Sequence, residues 1–280
     1  MKIFHHNDLD GRCSAAIALR WAEANGEIKG DLKVVEVDYK DSVDLSEVKN
    51  EELIIIVDFS FKPEVIKKIL EKTEDIFWID HHKTAQHYPY QYLDGLRDFS
   101  DKGKSGCELT WEFFHGEEMI PEGVVLIGDY DKWALKFQPQ CFEFYEGLKL
   151  NLTTPKSTIW DAILSHDSML LRKIKDEGKI AICYRDNYCE KICNDFGYDI
   201  EWEGHKAFAT NFYQFGSKGF GNRMEQYDFC AAYIHDGHRF TVSIYSIKDV
   251  DVSEICKKYG GGGHKGAAGF VCETLPWRKT

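Results

Sequence analysis

Ile79-Asp80-His81-His82 ends the apolar run Ile76-Phe77-Trp78-Ile79 with one carboxylate and two imidazoles in succession. Two earlier apolar runs end alike: Lys2-Ile3-Phe4 meets His5-His6-Asn7-Asp8-Leu9-Asp10-Gly11, and Leu53 to Val57 meets Asp58. A fourth acidic cluster, Gly128-Asp129-Tyr130-Asp131, follows the apolar stretch 123–127. Each piece alone reads as a turn or a helix cap. Capping accounts for one Asp beside a helix start but does not require His6, Asp8 and Asp10 together. Collected, His6, Asp8, Asp10, Asp58, Asp80, His81, His82 and Asp129 offer oxygen and imidazole donors without a paired thiolate, a set suited to manganese or magnesium, then cobalt or ferrous iron, more than to structural zinc. So many donors exceed what one octahedral ion takes while keeping water, so two divalent cations are expected, with Asp58 placed to bridge them. Two such ions about 3.5–4 Å apart activate a water and neutralise a phosphoryl group and its leaving oxygen, the chemistry of phosphoester or phosphoanhydride hydrolysis.

The second half supplies a complementary feature. Gly260-Gly261-Gly262-Gly263-His264-Lys265 lets backbone amides approach an anion, with His264 and Lys265 adding side-chain donors. It matches no Walker pattern, and the expectation is a phosphate-binding loop.

These residues need a scaffold that brings strand ends together. Lys2 to Phe4, Lys33 to Val37, Leu53 to Val57 and Ile76 to Ile79 read as buried strands, with helices over 10–24 and 63–72 between them. That alternation predicts an α/β fold with a parallel sheet and right-handed crossovers, whose ligands gather at the carboxyl edge of the strands. Ser105-Gly106-Cys107-Glu108 has capping-box spacing and opens a further helix, whereas 123–127 is ambiguous between helix and strand. From Ser157 to Asp195 the spacing is helical; beyond it, 206–210, 228–234 and 239–245 read as strands, with a hairpin turn at 235–238 and a short helix over 252–259. The expected division is a first domain over 1–156, a helical connection over 157–197 and a smaller α/β domain over 198–280.

Composition narrows the partners. The chain of 280 residues carries 35 basic and 47 acidic side chains, a formal net charge of −12, so a broad basic surface for long duplex nucleic acid is not expected. No run is long and apolar enough for a membrane span, and nine scattered cysteines without a CxxC pair fit reduced thiols in the cytoplasm.

In order, His6-Asn7-Asp8-Leu9-Asp10-Gly11, Asp58 after an apolar strand, Asp80-His81-His82 and Gly128-Asp129 resemble the motifs of the DHH phosphoesterase superfamily, and Gly260 to Gly269 resembles the glycine-rich signature of its DHHA1 accessory domain. The resemblance implies a dimanganese phosphohydrolase domain and a substrate-positioning second domain. Carried over, it gives His6 and Asp8 to one ion and Asp10, His81 and Asp129 to the other, with Asp58 between them. His82 would face the scissile phosphate, Asp80 would orient a ligating imidazole, and the glycines with His264 would hold the terminal phosphate or a nucleotide end. Two departures stand out. Many relatives place the first His four residues before the first Asp, where this chain has Phe4, which leaves His5 and His6 as alternatives. Ser243-Ile244-Tyr245-Ser246 carries Tyr where several relatives carry Arg, a pattern more similar to NrnB-like than to NrnA-like oligoribonucleases, with Arg223, Lys218 and Lys265 as candidate replacements.

The implied function is a metal-dependent phosphodiesterase removing nucleotides from short single-stranded oligonucleotides. Alternatives within the superfamily are cyclic or linear dinucleotides, a 3′-phosphoadenosine phosphate or polyphosphate as substrate. From another class comes a nucleotide-binding sensor, which should have lost metal ligands that this sequence keeps. A homodimer is compatible with either reading.

Overall fold

Short runs of β-branched and aromatic residues form the centre of a parallel sheet, as their burial on both faces requires. The computed structural model describes residues 1–28, 30–40 and 43–279. It divides into two compact units, Met1–Lys179 and Ile180–Thr280.

In the first unit β1 (Lys2–His6), α1 (Leu9–Ala24), β2 (Lys33–Val37), β3 (Ile54–Val57), α2 (Pro63–Leu70) and β4 (Ile76–Ile79) follow one another as the alternation predicts. The four strands pair in parallel in the order β2-β1-β3-β4. The chain places β2 on one side of β1 and then crosses to place β3 and β4 on the other, so a topological switch point falls between β1 and β3. β3 lies between β1 and β4, which sets Asp58 between the His6 and His81 ends. All four residues of β3 are buried, each aliphatic side chain contributing roughly 1.5–3 kcal/mol.

Helices α3 (Gly106–His115), α4 (Glu122–Asp131), α5 (Gln140–Leu148) and α6 (Ile159–Leu164) complete this unit, together with the first part of α7 (Ser168–Phe196). Ser105 opens α3 with a reciprocal capping box, its hydroxyl accepting from the Glu108 amide while the Glu108 carboxylate accepts from the Ser105 amide. The ambiguous stretch 123–127 is helical. Val124, Leu126 and Ile127 of α4 join Cys13, Ala16 and Ile17 of α1 and Trp111 of α3 in one core.

The second unit holds the rest of α7, β5 (Tyr198–Trp202), β6 (His205–Thr210), α8 (Arg223–Gln226), β7 (Phe229–His235), β8 (Phe240–Tyr245), α9 (Val252–Lys258), β9 (Gly262–His264), β10 (Ala267–Cys272) and β11 (Arg278–Lys279). Its seven-stranded sheet runs β11-β5-β6-β7-β8-β10-β9, antiparallel except for the β6–β7 pair. The expected connecting segment 157–197 thus contains α6 and α7, with the boundary between units inside α7. The glycine-rich stretch departs from expectation. Gly262, Gly263 and His264 are an edge strand paired antiparallel to β10, because glycines without side chains let the two backbones lie close. Among the described residues, no helix is long and apolar enough to cross a membrane.

Candidate metal centre

Three strand ends and two helices of the first unit converge on one group of donors. Alternation along β1 sends His5 and His6 to opposite faces. His5 is 1% exposed and its Nδ1 lies 2.7 Å from the His6 carbonyl oxygen, with burial lowering its pKa. His6 turns toward the site, its Nδ1 2.7 Å from Asp8 Oδ2 and 3.9 Å from Asp58 Oδ2.

Asp8 serves twice. One oxygen caps α1 by accepting from the Gly11 amide at 2.9 Å, and the other faces His6. Burial opposes its charge, but the His6 contact and the Gly11 amide more than compensate and bring its pKa down to about 2. Asp10 accepts the Gly106 and Cys107 amides at 2.8 Å each, a carboxylate seated on the exposed N–H groups that open α3. Gly106 also leaves room for Asp58 beside the same helix start, since a Cβ there would lie 2.6 Å from Asp58 Cβ and Oδ1.

Asp58 is the centre of the group. It is fully buried, sits at φ 52° in the left-handed region that a side chain avoids, and neither carboxylate oxygen has a hydrogen-bond partner among the described residues. Each feature costs stability, about 1–3 kcal/mol for such a backbone conformation and a similar amount for a buried unpaired polar group, more when it is charged. Burial, then the neighbouring Asp10, Asp8 and Asp131, pushes its pKa well up. A divalent cation removes that conflict, and Asp58 shares donor groups with His6 and Asp8 on one side and with His81 and His82 on the other. The donor set therefore fits two oxygen-preferring divalent cations.

His81 Nε2 lies 3.0 Å from Asp58 Oδ1, 3.4 Å from Asp131 Oδ2 and 3.6 Å from Asp10 Oδ2, and burial lowers its pKa. Asp80 is fully buried and holds His82 rather than His81 by its side chain. Its Oδ1 accepts the His81 and His82 amides and lies 2.7 Å from His82 Nδ1, while its other oxygen accepts from the Ser60 hydroxyl. Burial depresses the His82 pKa, but the hydrogen bond and charge of Asp80 outweigh it and raise the pKa above the usual imidazole value. With Nδ1 engaged, Nε2 is the nitrogen left to meet a substrate. Tyr39 stacks on Phe59 at 4.5 Å between ring centres and stands edge-on to His82, forming an aromatic rim.

Asp129 does not join the group. Both its oxygens accept backbone amides, from Lys136 at 2.9 Å and Phe137 at 3.0 Å, and it pins the turn after α4. Asp131 stands beside Asp10 and His81 instead. In a helix, residues two apart diverge by about 200°, whereas 124, 127, 128 and 131 share a face. That spacing was the available signal, and it was missed because 123–127 could not be assigned to a helix. Asp131 carries a pKa raised by burial and then by Asp10 and Asp8. The two positions should separate in solution. Asp131→Asn is expected to weaken cation binding about 10–100-fold by metal titration with melting little changed, while Asp129→Ala should lower stability by about 2–4 kcal/mol and leave cation affinity within a few-fold.

In the second unit, Arg223 forms a two-pronged ion pair with Glu190, at 2.6 and 3.1 Å, and a further bond to Asn194. Lys265 Nζ lies 2.6 Å from Asp249 Oδ1. Arg223 and Lys265, two of the three expected substrate cations, are thus already engaged by side chains of their own unit. His264 is exposed on β9, next to Gly263 at φ 144°. Gly261 closes on β10, where a Cβ would sit 2.1 Å from the Gly269 carbonyl oxygen, and Gly262 is open to its surroundings.

Residues 1–129 match the family model described as DHH family, N-terminal domain. An uncharacterised protein of Acanthamoeba polyphaga mimivirus is 30% identical over 243 residues, which is 81% of this chain and 54% of that protein. The chain therefore spans about half the length of the curated relative it matches. Among solved structures, the pGpG-specific phosphodiesterase PggH of Vibrio cholerae aligns over 97% of this chain and 93% of its own, with TM-score 0.58 and 13% identity. Exonuclease RecJ bound to manganese aligns over 97% and 85%, with TM-score 0.51 and 14% identity. At these identities the likeness is one of fold.

Proposed function

Because the chain belongs to the DHH phosphoesterase superfamily, we propose that it is a metal-dependent phosphodiesterase that removes nucleotides from short single-stranded oligonucleotides. The observation that carries the hydrolase reading is Asp58, buried, left-handed in φ and without a hydrogen-bond partner among the described residues, between two sets of donors. His6 and Asp8 would hold one divalent cation, Asp10, His81 and Asp131 the other, and Asp58 both. Manganese is the first choice, with magnesium, cobalt and ferrous iron as alternates. When bound, the cations supply Lewis-acid charge to the phosphoryl oxygens and make water a stronger nucleophile.

The chain's own residues do the rest. His82, oriented by Asp80, whose hydrogen bond and charge raise its pKa, places a donor where charge gathers on the phosphoryl group. Asp8 and Asp10 keep their carboxylates fixed through the helix starts they cap, so the donors are positioned before substrate arrives. The net charge of −12 disfavours tracking a long polyanion and favours short substrates.

A second reading, cleavage of a linear dinucleotide, is favoured by the fold likeness to PggH across nearly the whole of both chains. Products from end-labelled oligonucleotides of two to ten residues, with manganese present, separate the two. Stepwise shortening of five-mers supports the oligonucleotide reading, turnover of the dinucleotide alone supports the second, and no cleavage of any length sinks both. His264→Ala should raise KM for oligonucleotides about tenfold with kcat within two- to three-fold, and an unchanged KM removes His264 from the substrate contact.

A further inference from the structure

We propose that the sheet of the second unit carries a seat for one uncharged nucleobase, walled by Phe212, Tyr213 and Tyr245 and read at its edge by Gln214. A cavity of about 200 Å3 opens there, and the described residues that line it are all uncharged. It is smaller than the roughly 300–1,000 Å3 of pockets for drug-sized ligands, so it takes a single ring system rather than a whole nucleotide. Its lining offers aromatic faces, the Thr241 and Ser243 hydroxyls and a carboxamide, the groups that stack on a heterocycle and pair with its donors and acceptors.

Strand register gives the seat its floor. Ala232, Ser243, Gly269 and Gly262 are partners across β7, β8, β10 and β9, so four neighbouring strands present little or no side chain along one row. Two residues along β8, Tyr245 is level with Ala267 of β10 and His264 of β9. His264 therefore shares the face of the cavity, about two strand spacings from Tyr245, or roughly 9–10 Å. That reach suits a nucleotide with its base in the cavity and its phosphate toward β9.

On β6 the row continues with Thr210, the register neighbour of Ala232, which is fully buried and does not itself line the cavity. Gln214 is held at φ 66°, a conformation with a cost that a binding role would explain.

The inference deepens the nucleotide reading above, and its test is independent of hydrolysis. The full chain, stripped of metal with chelator, is titrated calorimetrically with adenosine, guanosine, cytidine and uridine in turn, and with inorganic phosphate. At least one nucleoside is expected to bind. Tyr213→Ala, at a residue 52% exposed and so safe for folding, should weaken that binding about 5- to 100-fold while phosphate binding stays within two-fold. Gln214→Ala should change the ranking of the four nucleosides. Tyr184→Ala, at an exposed site on α7, is the control. Absence of nucleoside binding, or unchanged affinity in Tyr213→Ala with melting preserved, overturns the proposal whether or not the protein cleaves phosphodiesters. Failure of cleavage with nucleoside binding intact overturns only the hydrolase reading.

Discussion

Asp58→Asn is expected to lower kcat by at least about 10³-fold and to reduce bound manganese, yet to raise the melting temperature of the metal-free protein by a few degrees. The activity loss should exceed the 10²–10³ that removal of one charge-stabilising donor costs, because Asp58 belongs to both donor groups. The stability gain follows from the same carboxylate. In the metal-free chain it is a buried carboxyl crowded by Asp10, Asp8 and Asp131 and without a hydrogen-bond partner among the described residues, and a neutral amide of equal size relieves about 1–3 kcal/mol, or roughly 2–12 °C for a domain of this size. The pH dependence has a definite sign. The folded pKa of Asp58 is raised above the unfolded value, so the stability it lends is complete below about pH 4 and is lost as pH rises through the folded value. Metal-free wild type should thus lose melting temperature relative to Asp58→Asn as pH rises from 4, the two should converge at pH 4 and below, and manganese should restore wild type alone. Calorimetric scans at several pH values with and without manganese check all three, and a variant that melts lower than wild type in chelator would show that Asp58 is satisfied without a cation.

His82→Ala is expected to lower kcat about 10²–10³-fold with manganese content and KM nearly unchanged, since its Nε2 is left to act on substrate. Asp80→Asn should cost about 10–100-fold. Asp80 raises the His82 pKa, so its neutralisation lowers that pKa and moves the alkaline limb of the kcat profile to lower pH. Loss of bound manganese in His82→Ala would instead make His82 a ligand, a role its place beside Asp58 and His81 allows geometrically.

The parallel sheet and the convergence of its strand ends were legible because β1, β3 and β4 are short apolar runs that each stop at a polar residue, and such runs have few other uses. The choice of His6 over His5 follows from strand alternation once β1 is seen to run through His6. Three features were not legible. Asp131 depends on the helical phase of α4, which an unbroken apolar stretch conceals. Arg223 looked free because its partners, Glu190 and Asn194, lie 33 and 29 residues away on another helix. The glycine run read as a loop because a glycine strand lacks the side-chain alternation that marks a strand, and only the pairing with β10 reveals it.

Asp8 and Asp10 each lend oxygens to a helix start, whereas Asp58 has no such second employment. A descendant of this chain that abandoned its chemistry would therefore keep the first two as architecture and shed the third, whose retention only hinders the fold. When kindred sequences are sorted into working enzymes and relics, the residue after the third strand is the informative one, and an intact Asp-x-Asp at the start of the chain is not.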